Sequence, residues 1–186
     1  MNVKTALLVL AEGFEEVEAL GTADVLRRLK IRVLLAGLGG LSIRGSHHIT
    51  VTADVEFASA PFATPSAIIL PGGMPVALHL RDDPELPERL REFDRAGKIL
   101  AAICAAPAVL KAAGVAEGRR ITGYPGCESL AGTEPFSFSG NLVEHDGNII
   151  TGKGPGAVFA FAAEIARAFQ TPEEEIRSVL DGMFIR

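Results

Sequence analysis

The sequence predicts an α/β fold, a doubly wound and mostly parallel sheet sandwiched by helices. Three observations predict it. Unbroken apolar runs of strand length recur at Ala6–Leu10, Ala67–Leu70 and Ile99–Ile103, the pattern of strands buried on both faces. Segments of helical period separate these runs. Each run also ends in a sharp corner: Glu12-Gly13-Phe14, Pro71-Gly72-Gly73 and Cys104-Ala105-Ala106-Pro107. Folds of this class place their ligands there, at the carboxyl ends of the strands.

Taken in order, Ala6–Leu10 is the first strand, residues 15–29 a helix, and Arg32–Ala36 a second strand before a glycine cluster. Residues 49–53 alternate like a half-exposed strand. A polar helix is expected at about 84–96, between the strands at 67–70 and 99–103. Ala105–Ala113 reads as a helix stopped by Gly114, and 142–151 as a hairpin turning at Asp146-Gly147, a pair suited to type I′ turns. Helices near 155–169 and 172–182 follow, the second capped by Thr171 with Pro172 at its first position. No repeat, low-complexity tract or interdomain linker interrupts the 186 residues, a length that fits one domain.

Composition narrows the function classes. With 48% hydrophobic residues the chain can bury a core, and only two cysteines occur, Cys104 and Cys127. That excludes a disulfide scaffold and fits a reducing, cytoplasmic setting. A formal charge of −5 argues against a nucleic-acid surface. No apolar run approaches the roughly 18 residues that span a bilayer, and Met1-Asn2-Val3-Lys4-Thr5 does not open a signal peptide. His47, His48, His79 and His145 lack metal-ligand spacing, and Glu12-Gly13 is no dinucleotide loop. Neither metal nor cofactor is expected.

Two residues carry chemistry. Cys104 sits between a buried strand and a helix, the corner that lifts a nucleophile to the rim of a sheet. A helix N-terminus there would lower the thiol pKa. The alternative is a small buried hydrophobe. Cys127, in a loop rich in glycine and proline, reads as an incidental thiol. At 100° per residue the first helix aligns Phe14, Val17, Gly21, Val25 and Leu29, and Glu18 falls within that stripe. Glu15 and Glu16 project to the side and back. A carboxyl on the buried face is held partly protonated, able to donate a hydrogen bond to a thiolate. A partly solvated glutamate near a helix start is the plainer possibility. Gly72 and Gly73 offer unobstructed amides for an oxyanion.

These residues together resemble the ThiJ/PfpI superfamily, and within it the branch of the parkinsonism-associated protein deglycase and its bacterial relatives. The match runs nearly end to end. It takes in Ala11-Glu12-Gly13-Phe14-Glu15-Glu16-Val17-Glu18, Asp24-Val25-Leu26-Arg27-Arg28 and Leu70-Pro71-Gly72-Gly73. It continues through Ala101-Ala102-Ile103-Cys104-Ala105-Ala106-Pro107 to Gly154-Pro155-Gly156.

The resemblance implies a single flavodoxin-like domain over residues 1–186 that forms a homodimer. It implies Cys104 as the reactive cysteine, Glu18 as the protonated acid beside it, and an oxyanion hole from Gly72, Gly73 and Ala105. Tyr124, His48, Arg28 and Pro155 would form the periphery. Tyr124 stands where a relative has a histidine, and His48 about where it has an arginine that reaches across the dimer. Ala105 replaces the histidine of the protease-like branch, which disfavours a peptidase.

The implied activity is that of a cofactor-independent cysteine enzyme of glyoxalase III or deglycase type. It would act on methylglyoxal, a small 2-oxoaldehyde, or on early glycation adducts, and protect against carbonyl and oxidative stress. The alternative is a non-enzymatic redox sensor or chaperone-like dimer using Cys104 oxidation.

Overall fold

A computed structural model describes residues 4–185. Met1–Val3, read above as no part of a signal peptide, lie outside them. Seven strands form one sheet in the order β5-β2-β1-β6-β7-β9-β8, and β3 and β4 form a separate two-stranded ribbon. The strands of the sheet are β1 (Thr5–Leu10), β2 (Arg32–Gly37), β5 (Val55–Glu56), β6 (Ala67–Leu70), β7 (Ile99–Ile103), β8 (Val143–Asp146) and β9 (Ile149–Gly152). All neighbours run parallel except β8 against β9. Every residue of β1, β6 and β9 is buried, as unbroken apolar runs demand.

Helices cover both faces. On one side α1 (Glu16–Arg28) packs against α5 (Val158–Ala168), and α6 (Glu173–Gly182) packs against both. On the other lie α2 (Val76–Asp82), α3 (Leu86–Arg95) and α4 (Pro107–Ala112). One contiguous apolar core fills both interlayers. The chain runs outward from β1 to β2 and β5, then returns to the far side of β1 with β6. The reversal of strand order thus falls between β1 and β6, so the loops after those two strands flank the crevice expected of this fold.

Several local expectations change. The ribbon of β3 (Ser42–Arg44) and β4 (Thr50–Thr52) was only half anticipated, because β3 has three residues and follows the glycine cluster. α2 was not anticipated, since it spans two turns and starts directly after Pro75. Asp83 Oδ1 accepts the Glu85 and Leu86 amides at 2.9 and 2.7 Å and so sets the start of α3. In the β8–β9 hairpin only Gly147 takes a positive φ, 65°, so the turn is not type I′. Pro172, not Thr171, is the N-cap of α6. Thr171 Oγ1 instead accepts from Lys4 Nζ at 3.4 Å.

Candidate active site

The three strand-end corners converge. Cys104 follows β7 directly and has φ of 65°, the left-handed region that costs a non-glycine residue roughly 1–2 kcal/mol. Two main-chain bonds hold it there. Its N–H donates to Gly152 O at 2.9 Å, and its carbonyl accepts Tyr124 N–H at 2.8 Å. Lys30, His48, Gln170 and Phe184 also take positive φ, but among the described non-glycine residues Cys104 alone does so at the carboxyl end of a buried strand of the sheet, where such strain often marks a functional residue.

Gly72, at the end of β6, separates Cys104 from Glu18. A Cβ built on it would lie 2.6 Å from Cys104 Cβ and 2.8 Å from Glu18 Oε2. Only glycine lets these two side chains meet. Gly72 N–H donates to Glu18 Oε2 at 2.8 Å, which commits that amide to the carboxyl. The expected trio of oxyanion donors therefore reduces to Gly73 and Ala105, whose amides are the ones aimed at the sulfur.

Glu18 is 1% exposed, and its Oε1 is buried without a well-formed hydrogen bond among the described residues. Thr22 Oγ1, one turn further along α1, is in the same state. Burial raises the Glu18 pKa from 4.5 to about 7, although Gly72 N–H and the Cys104 thiol pull it down. For Cys104 the outcome opposes the expectation of a lowered pKa. Burial, then the Glu18 charge, push the thiol well above its usual range, and the Gly73 and Ala105 amides only partly offset them. α4 begins three residues later and spans fewer than two turns, too little to reverse this. The Glu18 contribution vanishes once that carboxyl takes a proton, so the pair favours states that carry no more than one negative charge.

α1 departs from the predicted stripe. Val17 is 54% exposed, while Glu16 is buried at 4%. The cause is non-local: the β3–β4 ribbon folds over the start of the helix. Glu16 accepts His47 N and Ile49 N through Oε1, at 2.7 and 3.4 Å, and Ser46 Oγ and His47 Nδ1 through Oε2, at 3.2 and 2.8 Å. Burial pushes its pKa up, but the His47 ring and the amides outweigh that and bring it down from 4.5 to about 2. Glu15 caps α1 by accepting Glu18 N–H at 2.7 Å. Ligand atoms of Glu15, Glu16 and His47 lie within 4.8 Å of one another, a grouping that could hold a cation and that no sequence spacing revealed. Its Glu16 oxygens are already occupied by these donors.

The periphery is only partly assembled within one chain. Tyr124 is bonded to the Cys104 main chain and lies in contact with Gly154, beside Pro155. Arg28 sits ten residues beyond Glu18, about 15 Å along the helix, and pairs with Asp24 at 2.8 Å. The structure does not bring it to Cys104. His48 is exposed and makes no described contact with Cys104 or Glu18; the neighbouring His47 is the one that reaches Glu15 and Glu16. Cys127 is nearer the site than its loop suggested. Its N–H donates to Tyr124 O at 3.1 Å, and burial, Glu128 and Glu18 all raise its pKa. A larger cleft, about 630 Å³ between Arg27, Lys30, Arg32 and Asp54, is lined by none of these groups.

Comparisons with known proteins place the chain in a family and bear out its fold. The model of the DJ-1/PfpI family matches residues 4–168. The chain is 35% identical to "Protein dj-1beta" of Drosophila melanogaster, over 98% of this chain and 97% of that one. The crystal structure of that fly protein superposes with a TM-score of 0.92, at 34% identity and 98% coverage of both chains. "Glutathione-independent glyoxalase DJR-1.2" of Caenorhabditis elegans is 33% identical, over 92% of this chain and 91% of its own. "Toxoplasma gondii DJ-1, oxidized" superposes with a TM-score of 0.90 at 28% identity, covering 98% of each chain.

Proposed function

The chain belongs to the DJ-1/PfpI family, and from that premise we propose that it is a cofactor-independent cysteine enzyme of glyoxalase or deglycase type. Its substrates would be small 2-oxoaldehydes such as methylglyoxal, or early glycation adducts. The observation that carries the reading is the contact of Cys104 with the buried, proton-holding Glu18 across Gly72. The worm relative bearing a glyoxalase name supports the reaction class.

Glu18 takes the thiol proton as the Cys104 sulfur adds to the aldehyde carbon C1, and the oxygen that gains the electron pair is held by the Gly73 and Ala105 amides. Glu18 passes that proton to the oxygen and stands again as the base. It then removes the hydrogen on C1 and returns it to C2, while the hydroxyl proton moves from O1 to O2. The product is a thioester of lactate on Cys104. Water cleaves it, releasing lactate and restoring the thiol. Tyr124 replaces the imidazole of a relative, so Glu18 carries the proton traffic alone.

Methylglyoxal loss measured with the unaltered chain, Cys104→Ser and Glu18→Gln tests the mechanism. Each variant should lose at least about 10²–10⁴-fold in kcat. Equal rates in all three would sink it.

The oxidised Toxoplasma relative favours a second reading, a redox sensor or chaperone-like dimer. A sulfinate at Cys104 would meet the same two amides and the Glu18 proton. Selective gain of two oxygens at Cys104 under mild peroxide, without aldehyde turnover, would favour it.

Both readings treat residues 1–186 as one unit. No helix among the described residues is long and apolar enough to cross a membrane, and the cysteine usage suits the cytoplasm. Exposed Val17 and Ile49, on either side of buried Glu16, support a homodimer through this face. Arg28 and His48 would then approach Cys104 only from a second copy.

A further inference from the structure

We propose that the apolar cavity between Tyr124 and Pro155 is a subsite for the alkyl or aryl substituent of the substrate, so that the chain prefers 2-oxoaldehydes with a bulky apolar group; this rests on the glyoxalase reading above. The cavity holds about 230 Å³ and is walled by Tyr124, Pro125, Leu142, Lys153, Pro155 and Ala157. Tyr124 and Leu142 are 51% and 53% exposed, an aromatic ring and a leucine facing the same space. Lys153 lends its methylene stem, because its ammonium turns away to Gly140 O at 3.1 Å. The Tyr124 ring lies directly over Gly154, at 3.4 Å from where a Cβ would stand, an ordinary van der Waals distance.

Position ties this cavity to the chemistry. The two segments that wall it are each one hydrogen bond from Cys104, through Gly152 O on one side and Tyr124 N on the other. Cys104 does not itself line the cavity, so under the proposal it is the substituent on C2 of a group joined to the sulfur that extends past Tyr124 into this apolar space. An apolar cavity of about 150 Å³ suffices for benzene, so 230 Å³ admits a phenyl ring, whereas a methyl group leaves most of it to water. Each extra buried carbon adds discrimination, so a ring in place of a methyl group should gain at least about tenfold. The reaction is otherwise unchanged: an arylglyoxal and water give the 2-hydroxy acid, with the C1 hydrogen moved to C2.

The test compares kcat/KM for phenylglyoxal and methylglyoxal. The unaltered chain should favour phenylglyoxal at least about tenfold. Tyr124→Ala should cut that ratio by about tenfold and Leu142→Ser by roughly three- to fivefold, while Tyr124→Phe keeps it. A ratio near one in the unaltered chain, or one that neither Tyr124→Ala nor Leu142→Ser moves, overturns the subsite.

A second measurement needs no turnover. Tyr124 is the sole tyrosine and the chain has no tryptophan, so its emission reports on this cavity alone. Cyclohexanol added to the Cys104→Ser chain should change that emission saturably, and more weakly after Leu142→Ser, with ethanol as the control. A linear, ethanol-like response overturns the cavity as a ligand site even where both aldehydes turn over. Saturation without turnover of either aldehyde upholds the cavity and overturns the glyoxalase reading instead.

Discussion

Glu16 and Glu18 stand two residues apart on one helix, both nearly sealed from solvent, and their acidities move in opposite directions. Glu16 falls to about 2 and Glu18 rises to about 7. Burial acts upward on both. Glu16 receives four donors from the β3–β4 ribbon, while Glu18 has only the Gly72 amide and the weak Cys104 thiol, and its Oε1 lacks a well-formed hydrogen bond among the described residues. The number of donors aimed at a carboxyl, more than its depth, decides whether it is an anchor or a proton carrier.

The contrast can be broken from either end. The largest effect is expected at Glu18. A carboxyl whose pKa climbs from 4.5 to about 7 on folding takes up a proton, so stability declines as pH rises through that interval. Glu18→Gln removes this loss and should stabilise the chain by about 3 kcal/mol at pH 8, and by little at pH 4. Denaturant melts at the two pH values check it, and an equal shift at both would contradict the assignment. Stability gained with activity lost is the signature of a site residue.

Glu16 should behave in the opposite sense. Its lowered pKa contributes stability that is present above about 4.5 and fades as pH falls toward 2. Glu16→Gln leaves some of the four donors without an acceptor and should cost roughly 2 kcal/mol at pH 7, less as the pH approaches 3. Methylglyoxal kinetics would show whether the ribbon also matters to Cys104. The smallest effect belongs to His47→Phe. His47 is largely exposed and its main-chain amide would still reach Glu16, so the same melts should shift less than for Glu16→Gln at every pH.

How much of this could be read in advance follows the range of the forces. β1, β6 and β7 announce themselves as apolar runs, and their corners point to Cys104 and Gly72-Gly73 without any knowledge of packing. Glu18 is legible too, because helical phase alone turns it inward. Glu16 is not. Its burial depends on a ribbon nearly thirty residues away whose first strand has only three residues. Helical phase even misplaces Val17, which belongs to the stripe by angle yet faces out. The elevated thiol escapes for a related reason, since helix position suggests a lowered pKa while burial, and then a charge on another element, raise it. Arg28 marks a further limit. A resemblance can name a residue as peripheral, yet the geometry of one chain leaves it far away.

The two bonds that hold Cys104 in its left-handed turn have a bearing on how the protein is made. Its N–H partner is Gly152 and its carbonyl partner is Tyr124, both later in the chain. While synthesis has passed Cys104 but not Gly152, neither the corner nor the flanking cavity can close. The nascent cysteine is then an ordinary thiol on an open strand. Its strained, buried setting forms only when the last strand of the sheet, β9, docks beside β7. Labelling by a thiol reagent during translation should therefore change at a chain length just past that point, which makes this one sulfur a timer for completion of the sheet.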